Sequence, residues 1–373
     1  MKDQTLSRRQ ILGGATAITA ATVLGASNPA QAQPAAATPD LGPSQAPTIT
    51  DVKDKVAYIT GGSSGIGLGI AKVFFEAGMK VVIGYVSDRH IGDALKQFPT
   101  GHPRLHSIRH DVMDRDAWKR VADEIEQHFG PLNVLVNNAG VGLQALVSTG
   151  TLKDWDWGIG VNLLGPIYGI NTFVPRMLAS KQGCHIVTTT STSGILPGSG
   201  AGIYTVSKIA AVGLMEELRH ELRESKIGTS AFVPGLTTSN IGDSESVRPE
   251  NLQNEGDASA PEAPARTAAA ARAPAAARPA PSVAVSPAAQ RPHDPMTAGR
   301  FVLDGILHND MYIVAQPEWR IGVEARANAL LESMHPFKPL PEEMYKRSLY
   351  RTPIYVQEIA HRKATQNRDI KGI

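Results

Sequence analysis

Thr60-Gly61-Gly62-Ser63-Ser64-Gly65-Ile66-Gly67 joins a short apolar run, residues 56–60, to a stretch of helical periodicity, residues 66–77. Ile66, Ile70, Val73 and Phe74 fall on one helical face. A strand that ends in glycines and opens a helix is what a phosphate requires. No side chain blocks its approach, and the helix N-terminus offers free N–H groups and partial positive charge. The spacing is G-x-x-x-G-x-G rather than G-x-G-x-x-G. A glycine-rich β–α turn is also met as a purely structural feature, so this one acquires meaning from the motifs downstream of it.

Further strands are predicted at residues 81–85, 105–109, 133–137, 186–190 and 229–233, and helices at 115–129, 155–178 and 207–223. Alternating strand and helix implies an α/β fold, a doubly wound parallel sheet in three αβα layers. Ligands then bind beyond the carboxyl ends of the strands. The 373 residues carry 37 Lys plus Arg against 35 Asp plus Glu, a net charge of +2, and 42% are hydrophobic. That balance suits a folded chain and lacks the basic footprint of a nucleic-acid binder. A lone cysteine, Cys184, excludes an intrachain disulfide and a multi-cysteine metal centre, and no metal site is expected. Past the first thirty residues no apolar run is long enough to span a bilayer.

The two ends and one internal stretch differ from this pattern. Lys2, Arg8 and Arg9, the run from Ile11 to Ala26 and the small-x-small sequence Ala30-Gln31-Ala32 follow one another as in an export signal. Ser7-Arg8-Arg9-Gln10-Ile11-Leu12 is similar to the twin-arginine motif. Residues 1–32 are therefore expected to send a folded protein to the periplasm, with cytoplasmic residence the alternative if the signal is unused. Residues 33–50 read as a linker. Between residues 257 and 290, 16 of 34 residues are Ala and 6 are Pro, too little side chain to offset ordering and too much Pro for a long helix. Residues 243–293 are expected to be a low-complexity, disordered insertion in a single domain built from 51–242 and 294–334. Residues 335–373, with Tyr345, Tyr350 and Tyr355, are an extension, either an oligomer arm or a cover on the site.

Tyr204 and Lys208 stand four apart in a helical stretch and share a face. A phenol with a pKa near 10 is a poor base at neutral pH, and a neighbouring ammonium favours its phenolate. Taken alone, the pair reads as a common surface contact. Ser191 lies thirteen residues earlier, just past a predicted strand, with Ser193 a competing candidate. Asn162 falls within a helical stretch, where a buried amide must be bonded, or else marks a cap or kink near Pro166. Asp111 follows the 105–109 strand, and its alternative role is an N-cap for the helix starting near Asp114.

Residues 60–67, Asn137-Asn138-Ala139-Gly140, Asn162, Ser191, Tyr204-x-x-x-Lys208 and Pro234-Gly235 stand in the order and spacing of the short-chain dehydrogenase/reductase family. The chain resembles that family over about residues 53–241 and again over 295–334. The resemblance implies a Rossmann-type domain and an NAD(P)(H)-dependent oxidoreductase that interconverts a secondary alcohol and its ketone. It implies that Tyr204 is the acid–base, that Ser191 holds the substrate oxygen, and that Asn162 joins a water-mediated relay to Lys208. Lys208 would lower the Tyr204 pKa and hold the nicotinamide ribose. Cofactor contacts are expected from Thr60, Gly61, Ser63, Ser64, Gly65, Ile66, Gly67, Tyr85, Arg89, Asp111, Val112, Asn138, Ala139, Gly140, Tyr204, Lys208, Pro234, Gly235 and Thr237. A homo-oligomer, dimer or tetramer, is expected too.

NAD-preferring members carry an acid at the end of the second strand. Here Tyr85 stands there, followed by Val86 and Ser87, and Arg89 lies near for a 2′-phosphate, with Asp88 beside it. The reading leans towards NADP(H). Residues 151–178, Ser239-Asn240-Ile241 and Tyr312-Ile313-Val314 with Pro317-Glu318 are similar to bacterial aryl-alcohol dehydrogenases, which oxidise benzylic Cα hydroxyls of lignin-type dimers. Tyr85 and the 243–293 insertion depart from that subgroup. Val141, Leu143, Ile195, Leu196 and Leu236 are candidates for an apolar pocket wall, or for ordinary core. A pocket so walled takes a small hydrophobic or aromatic alcohol or ketone. An exported enzyme of this kind would carry its cofactor out in bound form. The alternative is a non-redox isomerase, or a non-catalytic nucleotide-binding sensor, on the same fold.

Overall fold

Strand and helix alternate along the chain in the computed structural model, which describes residues 41–143, 145–198, 200–254, 292–334 and 341–373. The elements are β1 (Val56–Ile59), α1 (Gly65–Glu76), β2 (Lys80–Tyr85), α2 (Asp88–Leu95), β3 (Leu105–Arg109), α3 (Ala117–Phe129), β4 (Val134–Asn137), α4 (Leu152–Ile159), α5 (Gly165–Ser180), β5 (Cys184–Thr189), α6 (Thr192–Ile195), α7 (Gly202–Leu222), β6 (Ile227–Val233), α8 (Pro295–His308), β7 (Tyr312–Val314), α9 (Arg320–Glu332), α10 (Glu342–Arg351) and α11 (Pro353–Thr365). The seven strands form one sheet in the order β3-β2-β1-β4-β5-β6-β7, every neighbouring pair parallel. The order reverses between β1 and β4, which opens a crevice at their carboxyl ends.

Side chains alternate across the strands and so make two cores. Tyr58, Leu135 and Ile186 face Trp118 of α3, Phe173 of α5 and Met215 of α7. Ile59, Val136 and Val187 face Phe74 of α1 and Val302 and Ile306 of α8. Strands buried on both faces explain why they read as near-continuous apolar runs.

The structure departs from the sequence pattern in four places. The helix expected over 155–178 is broken into α4, a π turn at Gly160–Leu164, and α5. Pro166 has no N–H for the carbonyl of residue 162, and the Gly165 N–H bonds to the Gly160 carbonyl, five residues back. The described part of the expected linker, residues 41–50, is docked. The Gln45 carboxamide donates to the carbonyls of Leu222, Ser225 and Ile227, Thr48 Oγ1 donates to Cys184 O at 2.7 Å, and Ile49 is buried.

The expected insertion boundary at residue 243 falls inside ordered chain. Residues 237–254 form a strap with two 3₁₀ turns, Ile241–Val247 and Glu250–Leu252, and with Ser244 and Arg248 buried. A bridge between Thr237 and His293 closes the base of the excursion. The Ala/Pro-rich stretch over 255–291 and the export signal over 1–32 lie outside the described residues.

The C-terminal extension covers the amino end of β7, away from the crevice. Ile354 and Glu358 of α11 are buried. Asp310, itself buried, is bonded by His361 Nε2 at 2.9 Å and paired with Arg362 and Arg368. Burial pushes the Asp310 carboxyl up, but these partners hold it well below the usual carboxylate range.

Candidate active site

The glycine turn and the loop after β4 are built against each other. Gly61 has φ +62°, and a Cβ there would lie 2.9 Å from Ala139 Cα. A Cβ on Gly67 would lie 2.3 Å from the Gly61 carbonyl. Thr60 is buried, and its Oγ1 accepts from the N–H groups of Asn138 and Ala139, both at 2.9 Å. Asn138 Nδ2 donates back to the carbonyls of Thr60 and Gly61. Thr60 thus shapes the turn from behind, and it does not line the cleft as the sequence suggested. Ser64, the N-cap of α1, makes no side-chain cap bond, so the first N–H groups of α1 stay available to a ligand.

Ser191, Tyr204 and Lys208 meet on the neighbouring wall. Ser191 is the N-cap of α6, at the end of β5, and its Oγ accepts from Ser193 N at 3.2 Å. Of the two candidates, Ser191 lines the cleft and Ser193 does not. Tyr204 is in the first turn of α7 and Lys208 one turn later, both lining the cleft. Lys208 is 3% exposed, and its Nζ donates to Thr189 O at 2.9 Å and lies 5.6 Å from the Tyr204 ring centre. Burial pushes the Lys208 ammonium down to about 8. Burial also pushes the Tyr204 phenol up, opposed by its hydrogen bond with Ser191. The expected lowering by Lys208 is therefore not seen in the protein alone, because both groups are desolvated together.

Asn162 sits in the π turn, 1% exposed and outside the cleft lining. Its Oδ1 accepts from Val141 N at 2.9 Å, and its Nδ2 donates to Val141 O at 3.0 Å and Ser207 Oγ at 3.2 Å. The side chain therefore clamps the loop after β4 and is fully engaged. Gly140 lies beside it: a Cβ there would stand 3.2 Å from Asn162 Oδ1 and 3.5 Å from Lys208 Nζ.

The strap forms the opposite wall of a cleft of about 350 Å³. Ser244 Oγ accepts from Gly142 N at 2.9 Å, and Ser239 passes above the turn, where a Cβ on Gly65 would come within 2.9 Å of it. One end of the strap is held by Arg248, whose Nη2 lies 2.7 Å from Asp154 Oδ1 with side-chain exposures of 4% and 8%. Arg248 also stacks over Trp157, 4.9 Å from the ring centre. Burial pushes Asp154 up, but the bond from Arg248 dominates with its neighbours and holds the carboxyl low. On the side towards β2, within the first 3₁₀ turn, Arg89 Nη1 lies 2.6 Å from Asp243 Oδ2, with exposures of 51% and 56%.

The cleft brings together Gly61, Ser63, Ser64, Gly65, Ile66, Gly67, Asp111, Val112, Asn138, Ala139, Gly140, Pro234, Gly235 and Thr237 with Ser191, Tyr204 and Lys208. Tyr85 is not among its lining; it packs on the apolar core beside α1. Arg89 is turned to the strap instead. Asp111 Oδ1 accepts from Met113 N at 2.9 Å, whereas the N-cap of α3 is Asp116, so Asp111 closes a turn rather than capping that helix. Val141 and Leu236 line the cleft, while Leu143, Ile195 and Leu196 do not. Sequence reasoning missed Ser87, His90, His110, Trp157, Asp243 and Ser246, all of which line it. His110 is 5% exposed, its Nδ1 pairs with Tyr58 OH at 2.7 Å, and its Nε2 has no partner among the described residues.

These residues fit a nicotinamide dinucleotide. A glycine turn with an open helix end suits the pyrophosphate, an unpaired buried nitrogen and Asp111 mark one end, and Tyr204 with Lys208 marks the other.

The chain is similar to known proteins in both sequence and fold. The sequence profile described as short chain dehydrogenase matches residues 55–249. A C alpha-dehydrogenase of Sphingobium sp. strain SYK-6 is 36% identical over 300 residues, 80% of this chain and 92% of that protein. An NADP-dependent (R)-specific alcohol dehydrogenase of Lentilactobacillus kefiri is 34% identical over 193 residues, 50% of this chain and 75% of that one. The crystal structure of a short chain dehydrogenase/reductase from Burkholderia phymatum in complex with NAD is similar with a TM-score of 0.65 at 29% identity, covering 79% of this chain and 100% of that one.

Proposed function

The chain belongs to the short chain dehydrogenase family and is a nicotinamide-dependent oxidoreductase of alcohols and ketones; from that premise we propose that it interconverts a secondary benzylic alcohol and its ketone by proton transfer at Tyr204. The observation that carries this reading is the meeting of Ser191, Tyr204 and Lys208 in the cleft that the glycine turn also lines. A bound nicotinamide supplies the hydride acceptor or donor. Tyr204 takes the proton of the substrate hydroxyl, or gives one to the carbonyl in reverse. Ser191, which lines the cleft beside the phenol, orients the same oxygen. Lys208, fixed on Thr189 O, holds a positive charge beside the site below about pH 8. A phenol pushed up by burial favours ketone reduction at neutral pH, and alcohol oxidation gains as pH rises.

An aromatic substrate is supported by the walls. Val141, Val161, Leu236 and Val247 line the cleft with apolar side chains, backed by Trp157. The name of the Sphingobium relative points the same way. For the cofactor we favour NADP(H), because β2 ends in Tyr85 rather than in an acid, and the nearby Arg89 is engaged only by a half-exposed ion pair with Asp243. We further propose that residues 1–32 direct twin-arginine export with the cofactor bound, and that the enzyme is a homo-oligomer.

The test is turnover by residues 33–373, followed by nicotinamide absorbance with NAD and NADP separately, against benzylic and aliphatic secondary alcohols. Benzylic alcohols are expected to exceed aliphatic ones in kcat/KM by about tenfold or more. Bound nucleotide with no turnover on any alcohol would favour the non-redox reading.

A further inference from the structure

The end of β2 lacks the carboxylate that sorts the two nicotinamide cofactors, yet a carboxylate reaches that place from elsewhere. Val86 and Ser87, directly after β2, line the cleft. Asp243 and Ser246 of the strap line it too, and both hold Arg89, Nη1 to Asp243 Oδ2 at 2.6 Å and to Ser246 Oγ at 2.9 Å. Arg89 and Asp243 are 154 residues apart in sequence. Among the other charged groups here, Arg109 Nε donates to Val86 O at 3.3 Å, and Glu245 of the strap pairs with Arg248 at 3.4 Å. Asp88 faces Arg109 at 3.7 Å, and His90 Nε2 lies 3.4 Å from Asn240 Nδ2.

We propose that Asp243 is a cofactor-selecting residue that acts from the strap, competing with a ribose 2′-phosphate for Arg89. This rests on the cleft being the nicotinamide-dinucleotide site. A 2′-phosphate brings more charge and more acceptor oxygens to Arg89 than one carboxylate does. The Arg89–Asp243 pair is about half exposed on both sides, a class of ion pair that contributes little and exchanges easily. A 2′-phosphate therefore takes Arg89 from Asp243 and Ser246 and loosens the strap where it faces the end of β2. A 2′-hydroxyl leaves the pair closed. Arg248 keeps the far end fixed in both cases, because its pair with Asp154 is buried. Cofactor identity is thereby coupled to the strap that forms one wall of the substrate cleft.

The experiment uses two probes that differ by one phosphate, 2′,5′-ADP and 5′-AMP. Their binding to the folded protein is measured by calorimetry, and hydrogen exchange is followed in the strap. Asp243→Asn is expected to tighten 2′,5′-ADP by about fivefold, the worth of an exposed ion pair, and to leave 5′-AMP unchanged. Arg89→Met is expected to weaken 2′,5′-ADP by about tenfold with 5′-AMP again unchanged. Asp243→Glu, which keeps the charge, should stay with the wild type. In the wild type, 2′,5′-ADP but not 5′-AMP should speed exchange over residues 241–246. Equal effects of Asp243→Asn on both probes would mean a merely structural strap contact and would overturn the proposal, as would no change on either. Strap exchange indifferent to the phosphate would overturn the coupling. If neither probe binds the wild type, the nucleotide-site reading itself fails, a result distinct from binding without selection.

Discussion

Across the cleft, two walls hold their polar groups by different means. The wall of β4, β5 and α7 uses hydrogen bonds to backbone. Asn162 takes both the N–H and the C=O of Val141, Lys208 rests on Thr189 O, and Thr60 gathers two N–H groups after β4. The strap opposite has no strand and only two short 3₁₀ turns, and besides the Thr237–His293 bridge and the Ser244 contact with Gly142 N it is held by two side-chain ion pairs, Arg248–Asp154 and Arg89–Asp243. Chemistry needs atoms held within a fraction of an ångström, and regular elements provide that. Admission and selection of ligands need a part that lets go, and such parts come from the less stable end of a structure. Within the strap the contrast repeats, with a buried pair at the substrate side and an exposed pair at the cofactor side.

The largest test of this contrast is Asp154→Ala. It leaves Arg248, 4% exposed, as a buried cation without its main partner. The expected cost is about 3–5 kcal/mol, read as a lower urea midpoint or as tryptic cleavage within 237–254. Asn162→Ala attacks the fixed wall. It unpairs both backbone groups of Val141 and is expected to cost about 2–3 kcal/mol by the same urea titration. Lys208→Met should work in the opposite direction, abolishing turnover while raising the thermal midpoint at pH 7. The folded chain holds this ammonium at about 8 against an ordinary 10.5, so below pH 8 it carries the full cost of a buried charge. Between about pH 8 and 10.5 the unfolded chain binds the extra proton, so this group's contribution to stability rises with pH and the advantage of the methionine shrinks. The smallest effect belongs to the exposed pair. Arg89→Met should change unfolding free energy by less than about 1 kcal/mol. If it cost as much as Asp154→Ala, the two ion pairs of the strap would not differ as described.

The same contrast decides what could be read from the sequence. The glycine turn, the strands and the Ser191–Tyr204–Lys208 set were legible because each stands at a fixed offset from a strand end or helix turn. The strap was not. Residues 241–254 are rich in Ser, Asp, Glu and Asn and have no apolar period, so they resemble the insertion next to them in the chain. Their order comes from Arg248 meeting Asp154, 94 residues away, and from Ser244 meeting Gly142. No local pattern announces either contact. The π turn at Asn162 escaped for a related reason. A 3.6-residue period cannot show one added residue, although Pro166 was a visible signal of the missing hydrogen bond. Tyr85 and Arg89 were placed by their distance from β2, but tertiary packing takes one to the core and the other to Asp243.

The decisive measurement compares Tyr204→Phe with the wild type, following alcohol-dependent nicotinamide reduction and nucleotide affinity on the same samples. Turnover is expected to fall by about a hundredfold or more while nucleotide affinity changes little, since the phenol moves the proton and is only one of the many groups that line the nucleotide cleft. Wild-type turnover in the variant would contradict the assignment of the reaction to this cleft.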